Sequence, residues 1–132
     1  MTTFLLDANV VIALTVAEHE HHERATAWLT TVSRFAVCPV VEGALIRFLL
    51  RIGESMETAA AVLEGVRTSE RCEFWPDSVS YTDIDVSTIQ GHRQVADSYL
   101  AALARHGSGQ LATFDRALAA RHSESCVLVV AD

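Results

Sequence analysis

The apolar run Phe4-Leu5-Leu6 ends on Asp7 and passes through Ala8 and Asn9 into a second apolar run, Val10-Val11-Ile12-Ala13-Leu14. An apolar strand that stops on an aspartate and turns at once into an apolar helix is a way of building a site. In parallel α/β sheets the ligand crevice lies beyond the carboxyl ends of the strands, so Asp7 would stand at that edge. The rest of the chain decides whether the sheet is parallel and whether other groups reach Asp7.

Strand-like segments recur at residues 35–38, 73–75, 110–113 and 126–130. Between them the apolar residues fall at helical spacing. Helices are expected at 9–14, from about 24 to 31, at 40–51 with Gly53 as a stop, at 56–66, at 95–105 with Gly107 as a stop, and at 116–120. Pro39 ends the second strand where a proline can open a helix. Residues 77–90 carry the least signal, and Asp83-Ile84-Asp85 is expected to open a short helix. Strands alternating with helices indicate a parallel sheet covered on both faces.

A length of 132 residues fits one domain spanning 1–132, and a hydrophobic half supplies its core. No apolar run approaches the roughly 18 residues that span a membrane, and no basic leader opens the chain. A soluble, cytoplasmic protein is expected. Cys38, Cys72 and Cys126 are odd in number and widely spaced, which reads as free thiols in a reducing compartment. The ten basic residues are all Arg, so lysine chemistry is excluded: Schiff bases, a P-loop, or a phosphate-gripping lysine. The net charge of −7 counts against nucleic-acid binding, which usually needs a basic surface.

Four acids share one logic. Asp7 and Asp115 follow the ends of strands, while Glu42 and Asp97 lie in the first turns of helices running back from such ends. In a parallel sheet all four stand at one edge. Crowded carboxylates repel unless a cation sits among them, and a hard divalent ion with oxygen ligands, Mg²⁺ or Mn²⁺, is the natural partner. Such an ion can activate water against a phosphodiester. On spacing alone, these acids could instead merely cap helices or face solvent, as most Asp and Glu do.

The segments Leu5-Leu6-Asp7-Ala8-Asn9, Glu42 in the third helix, residues 95–104 around Asp97, and Leu111-Ala112-Thr113-Phe114-Asp115-Arg116 resemble the four acidic motifs of PIN-domain ribonucleases. The VapC toxins of bacterial type II toxin–antitoxin systems are the nearest match. The resemblance runs from Phe4 to the last strand and implies an α/β/α sandwich with a parallel sheet in strand order 3-2-1-4-5. It implies a Mg²⁺- or Mn²⁺-dependent endoribonuclease toxin, a cognate VapB-like antitoxin and a homodimer. Residue by residue, Asp7, Glu42, Asp97 and Asp115 match the catalytic, metal-holding quartet. Asn9 and Thr113 match polar positions that steady the carboxylates. The residue before the third acid is often Thr in this group and is Ala96 here, with Ser98 on the other side.

Arg47 and Arg116 are candidates for substrate or antitoxin contact, or for structural ion pairs. The polar His19 to His22 cluster reads as a solvated loop and helix start. Two other functions compete. One is a catalytically silent PIN domain that binds an antitoxin or RNA. The other is a phosphoacceptor α/β domain, against which the absence of Lys argues.

Overall fold

In the computed structural model, which describes residues 2–130, five strands form one sheet. The chain runs β1 (Thr3–Leu6), α1 (Ala8–Thr15), α2 (His22–Leu29), β2 (Arg34–Val37), α3 (Pro39–Arg51), α4 (Met56–Arg67) and β3 (Cys72–Phe74). It continues through two 3₁₀ turns (Tyr81–Asp83 and His92–Gln94) to α5 (Val95–His106), β4 (Gln110–Thr113), α6 (Arg116–Arg121) and β5 (Cys126–Leu128). All four strand pairings are parallel, and the order is β3-β2-β1-β4-β5. This is the expected sandwich and the expected order.

The order places β1 at the centre, with the first crossovers stepping one way and the later ones the other. Right-handed crossovers then put the two sets of helices on opposite faces. Helices α1 to α4 pack on one another, and α5 lies against β1 and β4. Leu5, Leu6, Leu111 and Ala112 are fully buried between these layers, which is why the central strands are apolar without alternation. Each such leucine contributes about 1.5–3 kcal/mol of burial.

Helix ends follow local chemistry. Pro39 opens α3, and Gly53, at φ 99°, closes it, so that the Glu54 N–H reaches the Leu49 carbonyl at 3.0 Å. The Ser55 hydroxyl caps α4 by accepting the Thr58 N–H at 3.0 Å. Gly109 brings β4 close to its neighbours: a Cβ there would press on the Thr3 carbonyl and lie 3.0 Å from Trp75.

One local expectation is corrected. Residues 83–85 do not open a helix; Asp83 ends the 3₁₀ turn Tyr81–Asp83. Ser80 supplies the cap by accepting the Thr82 N–H at 3.1 Å, and Ile84 is extended. Asp85 instead accepts the Ser87 N–H at 2.9 Å and its hydroxyl at 2.6 Å, an Asx turn that competes with helix. No helix among the described residues is long and apolar enough to cross a membrane.

Candidate active site

The register pairs Leu5 with Leu111 and Leu6 with Ala112, so the ends of β1 and β4 lie side by side at the point where the winding reverses. The Asp7 N–H extends this ladder to the Ala112 carbonyl at 3.0 Å. Asp7 then caps α1, its Oδ1 accepting the Ala8 N–H at 2.8 Å. Its Oδ2 accepts the hydroxyl of the fully buried Thr113 at 2.7 Å. The Thr113 oxygen in turn accepts the Asp115 N–H at 3.1 Å, and Asp115 Oδ1 caps α6 by accepting the Leu118 N–H at 3.0 Å. Thr113 thus links two aspartates that each start a helix.

These caps are bland on their own, and the electrostatics are not. Asp7 is only 7% exposed, and burial pushes its carboxyl up to about 6. The charges of Asp97 and Asp115 push the same way, against the bonds from Thr113 and Ala8. Asp97, in the first turn of α5, is also raised, by burial first and by Asp115 second. Arg121 and His122 partly offset that rise. Asp7, Asp97 and Asp115 therefore lie in one another's field.

Glu42 stands in a different environment. Its Oε2 accepts from Arg67 Nη1 at 3.2 Å, and the Arg67 guanidinium lies 4.4 Å from the Phe74 ring centroid. The end of α4 and the edge of β3 thus hold Glu42, while the other three acids face each other around β1 and β4.

The three-acid crevice suits a hard cation. Its donors are carboxylate oxygens, one of them on the buried Asp7, whose raised pKa a cation nearby would lower. Among the described residues, no three His, Cys, Asp or Glu side chains already converge into a ready-made cage. Mg²⁺ tolerates this, because it keeps several waters and takes only one or two carboxylates directly.

The remaining expected residues fall as follows. Asn9 is exposed on α1 and takes no part in the bonds at Asp7. Arg47 is exposed beside Gly43, and Arg116 is exposed next to Asp115. Ser98 is buried at 3% exposure, and its hydroxyl has no hydrogen-bond partner.

Several basic side chains near these acids carry no signal in the sequence. Arg121 and His122 lie within the field of Asp97. Arg24 lies 5.6 Å from the centroid of Phe114, whose ring also meets that of His21 at 4.8 Å. No spacing rule connects these residues to the acids. Only the packing of α6 beside β4 and β5, and of the α2 start against Phe114, brings them there.

A parallel sheet with a buried aspartate and two further acids gathered at its switch point defines a known class. The PIN-domain family matches residues 4–122, and the chain belongs to it. Among VapC ribonucleases of that family, it is 51% identical to Ribonuclease VapC29 of Mycobacterium tuberculosis over 128 residues, covering 96% of each chain. Two solved structures share the fold. VapC20 of Mycobacterium tuberculosis, a Sarcin-Ricin loop cleaving toxin, superposes with a TM-score of 0.69 at 17% identity, over 89% of this chain and 94% of that one. VapBC2 from Rickettsia felis, bound to a DNA fragment from their promoter, superposes with a TM-score of 0.68 at 16% identity, over 99% of this chain and 100% of that one.

Proposed function

We propose that this chain is an endoribonuclease toxin of a toxin–antitoxin system, dependent on Mg²⁺ or Mn²⁺. The observation that carries the reading is Asp7: a buried carboxyl raised to about 6, facing Asp97 and Asp115 at the sheet's switch point. An arrangement that destabilises its own fold at neutral pH is expected where charge is needed for function. Membership among the VapC ribonucleases supports RNA as the substrate.

In this reading Asp7, Asp97 and Asp115 hold the cation, and Glu42 joins them from α3. When bound, the ion supplies the positive charge that lets water attack a phosphodiester near neutral pH and that offsets charge on the leaving oxygen. Thr113 fixes the Asp7 carboxylate by its hydrogen bond, and Asn9 stays available from the first turn of α1. Water attacks instead of the ribose 2′-hydroxyl, so the products carry a 3′-hydroxyl and a 5′-phosphate.

The acidity of the chain is answered locally. Arg116 follows Asp115, Arg24 lies against Phe114, and Arg121 faces Asp97. Guanidinium groups suit bidentate phosphate contacts. With few such groups, RNA affinity is weak and sensitive to salt. The antitoxin partner rests on the paired naming of the VapBC2 structure. A homodimer and a cytoplasmic location complete the reading.

Cleavage of RNA in Mg²⁺ or Mn²⁺, abolished by Asp7→Asn or Asp97→Asn with the fold intact, is the expected result. Cleavage that persists in excess EDTA overturns it. Growth arrest on expression, lost with Asp7→Asn, separates a toxin from a silent binding domain.

A further inference from the structure

Several arginines of this chain are committed to the fold. Arg34 pairs with Glu73, Arg67 pairs with Glu42, and Arg71 donates to the carbonyls of Leu29 and Val32. Arg105 reaches Glu124 at 3.9 Å. Arg24 is different. It is partly exposed, and among the described residues its guanidinium has no ion pair and no hydrogen bond. It lies over the ring of Phe114 instead, 5.6 Å from the centroid.

That ring is tied to the acidic crevice by its own backbone. Phe114 stands between Thr113, whose hydroxyl binds Asp7, and Asp115, whose N–H bonds the same hydroxyl. From the other side the start of α2 rests on it. His21 caps that helix and meets the Phe114 ring at 4.8 Å, and Arg24 follows three residues later. The next residue, Ala25, is fully buried and seats the helix. The crevice fixes the ring, and the ring fixes the guanidinium.

Stacking restrains the flat face of a guanidinium and leaves its edge, which carries the N–H donors, for another partner. The planar fork of that edge matches a carboxylate or a phosphate. Among the described residues no carboxylate takes the place. RNA carries a negative charge at every nucleotide. Cutting one phosphate among three acids leaves the next phosphate of the strand in the same negative field, where it needs a positive partner of its own. On the β2 side the arginine beside Glu42, Arg67, is already engaged. The β4 side offers Arg24 from α2 and the exposed Arg116 from α6.

We infer that Arg24 is a substrate-binding residue: stacked on Phe114, it grips the phosphate next to the one cut, so that the RNA enters over the carboxyl end of β4. Phe114 is a positioning residue that acts through Arg24. The inference rests on the ribonuclease reading for its substrate.

The grip is read first without divalent ions, by fluorescence anisotropy of a labelled single-stranded RNA in EDTA over a range of salt concentrations. For single strands each phosphate contact contributes about 0.7 to the slope of log affinity against log salt. Arg24→Ala should lower that slope by about 0.7 and weaken binding about tenfold at low salt. Arg105→Ala removes the same charge from the last turn of α5, and should keep the wild-type slope. No saturable binding by the wild type, an unchanged slope in Arg24→Ala, or an equal fall in Arg105→Ala overturns the inference.

Phe114→Leu keeps an apolar side chain and removes the stacking face. With thermal unfolding showing a folded protein, it should weaken RNA binding, and adding Arg24→Ala should weaken it little further, because both changes remove one contact. Additive losses overturn the role of the ring. In cleavage, Arg24→Ala should raise KM about tenfold and leave kcat within about twofold, the pattern of a lost binding contact. If the wild type cleaves no RNA while the salt slope falls as expected, the nuclease reading fails and the grip stands. Cleavage with the same KM in wild type and Arg24→Ala does the reverse.

Discussion

Thr113 donates its hydroxyl proton to Asp7 Oδ2 at 2.7 Å, across 106 residues of chain and from the neighbouring strand. The same oxygen accepts the Asp115 N–H at 3.1 Å, so one buried hydroxyl orients one acid and anchors the backbone of the next. Thr113→Val keeps the shape and removes both bonds. The loss should cost about 1–3 kcal/mol of stability and weaken Mn²⁺ binding by about 10- to 100-fold. Urea unfolding and calorimetric titration measure the two effects; unchanged Mn²⁺ affinity would show that Thr113 only supports the fold.

Asp7 ties stability to pH. In the unfolded chain its carboxyl titrates near 3.8, and in the native protein near 6. Between these values the native state holds a proton that the unfolded chain has released, so stability falls as pH rises through the window. The stabilisation is complete below pH 3.8 and gone above about 6. Its size is about 3 kcal/mol, since each tenfold change in proton affinity is worth roughly 1.4 kcal/mol. His122, whose pKa is lowered mainly by burial, works in the opposite sense. The informative quantity is therefore the difference between wild type and Asp7→Asn. Metal-free wild type should lose more stability than the variant between pH 4 and 6.5, and parallel profiles would contradict the burial of charge at Asp7.

Divalent ions should undo that loss. Asp97 and Asp115 both push the Asp7 carboxyl up, so at pH 7.5 Mg²⁺ or Mn²⁺ should raise the melting temperature, and Asp7→Asn should abolish most of the rise. A saturating excess of about 100 times the dissociation constant corresponds to about 2.7 kcal/mol. Equal stabilisation of wild type and variant in a thermal scan would move the ion elsewhere.

Arg67 holds the Glu42 carboxylate at 3.2 Å, so it would compete with a cation placed there. The pair is partly exposed, with side-chain accessibilities of 39% for Arg67 and 16% for Glu42. Such pairs are worth about 0.2–1 kcal/mol. Arg67→Gln should therefore tighten Mn²⁺ binding by no more than about fivefold. Weaker binding in the titration would instead mean that Arg67 holds Glu42 in a useful position.

Gly109→Ala tests the packing beneath the site. The new methyl would press on the Thr3 carbonyl and on Trp75, where β1 and β4 meet. Overpacking of this kind costs about 1–3 kcal/mol, readable as a lower denaturation midpoint.

Much of this architecture was legible in the residues. The strands at Thr3–Leu6 and Gln110–Thr113 stood out because a sheet covered on both faces needs uninterrupted apolar runs. Pro39 and Gly53 marked the ends of α3 through backbone geometry that other residues do not share. Residues 83–85 misled because an Asp-x-Asp pattern serves a helix cap and an Asx turn equally well, and only the Ser80 and Ser87 hydroxyls decide between them. The acids were visible as a set by their place at strand ends and helix starts. Their grouping was not: that Glu42 turns to Arg67, and that Arg121 and His122 face Asp97, depends on packing between elements far apart in the chain.

The bond between Thr113 and Asp7 also sets an order of events during synthesis. Asp7 is among the first residues made, but the strand beside it and the hydroxyl that orients it come more than a hundred residues later. A chain still short of β4 has the first acid and no crevice around it. Pairing so distant in sequence is among the slower steps of folding. The three aspartates can therefore come together only once the chain is nearly complete, long after Asp7 itself has been made.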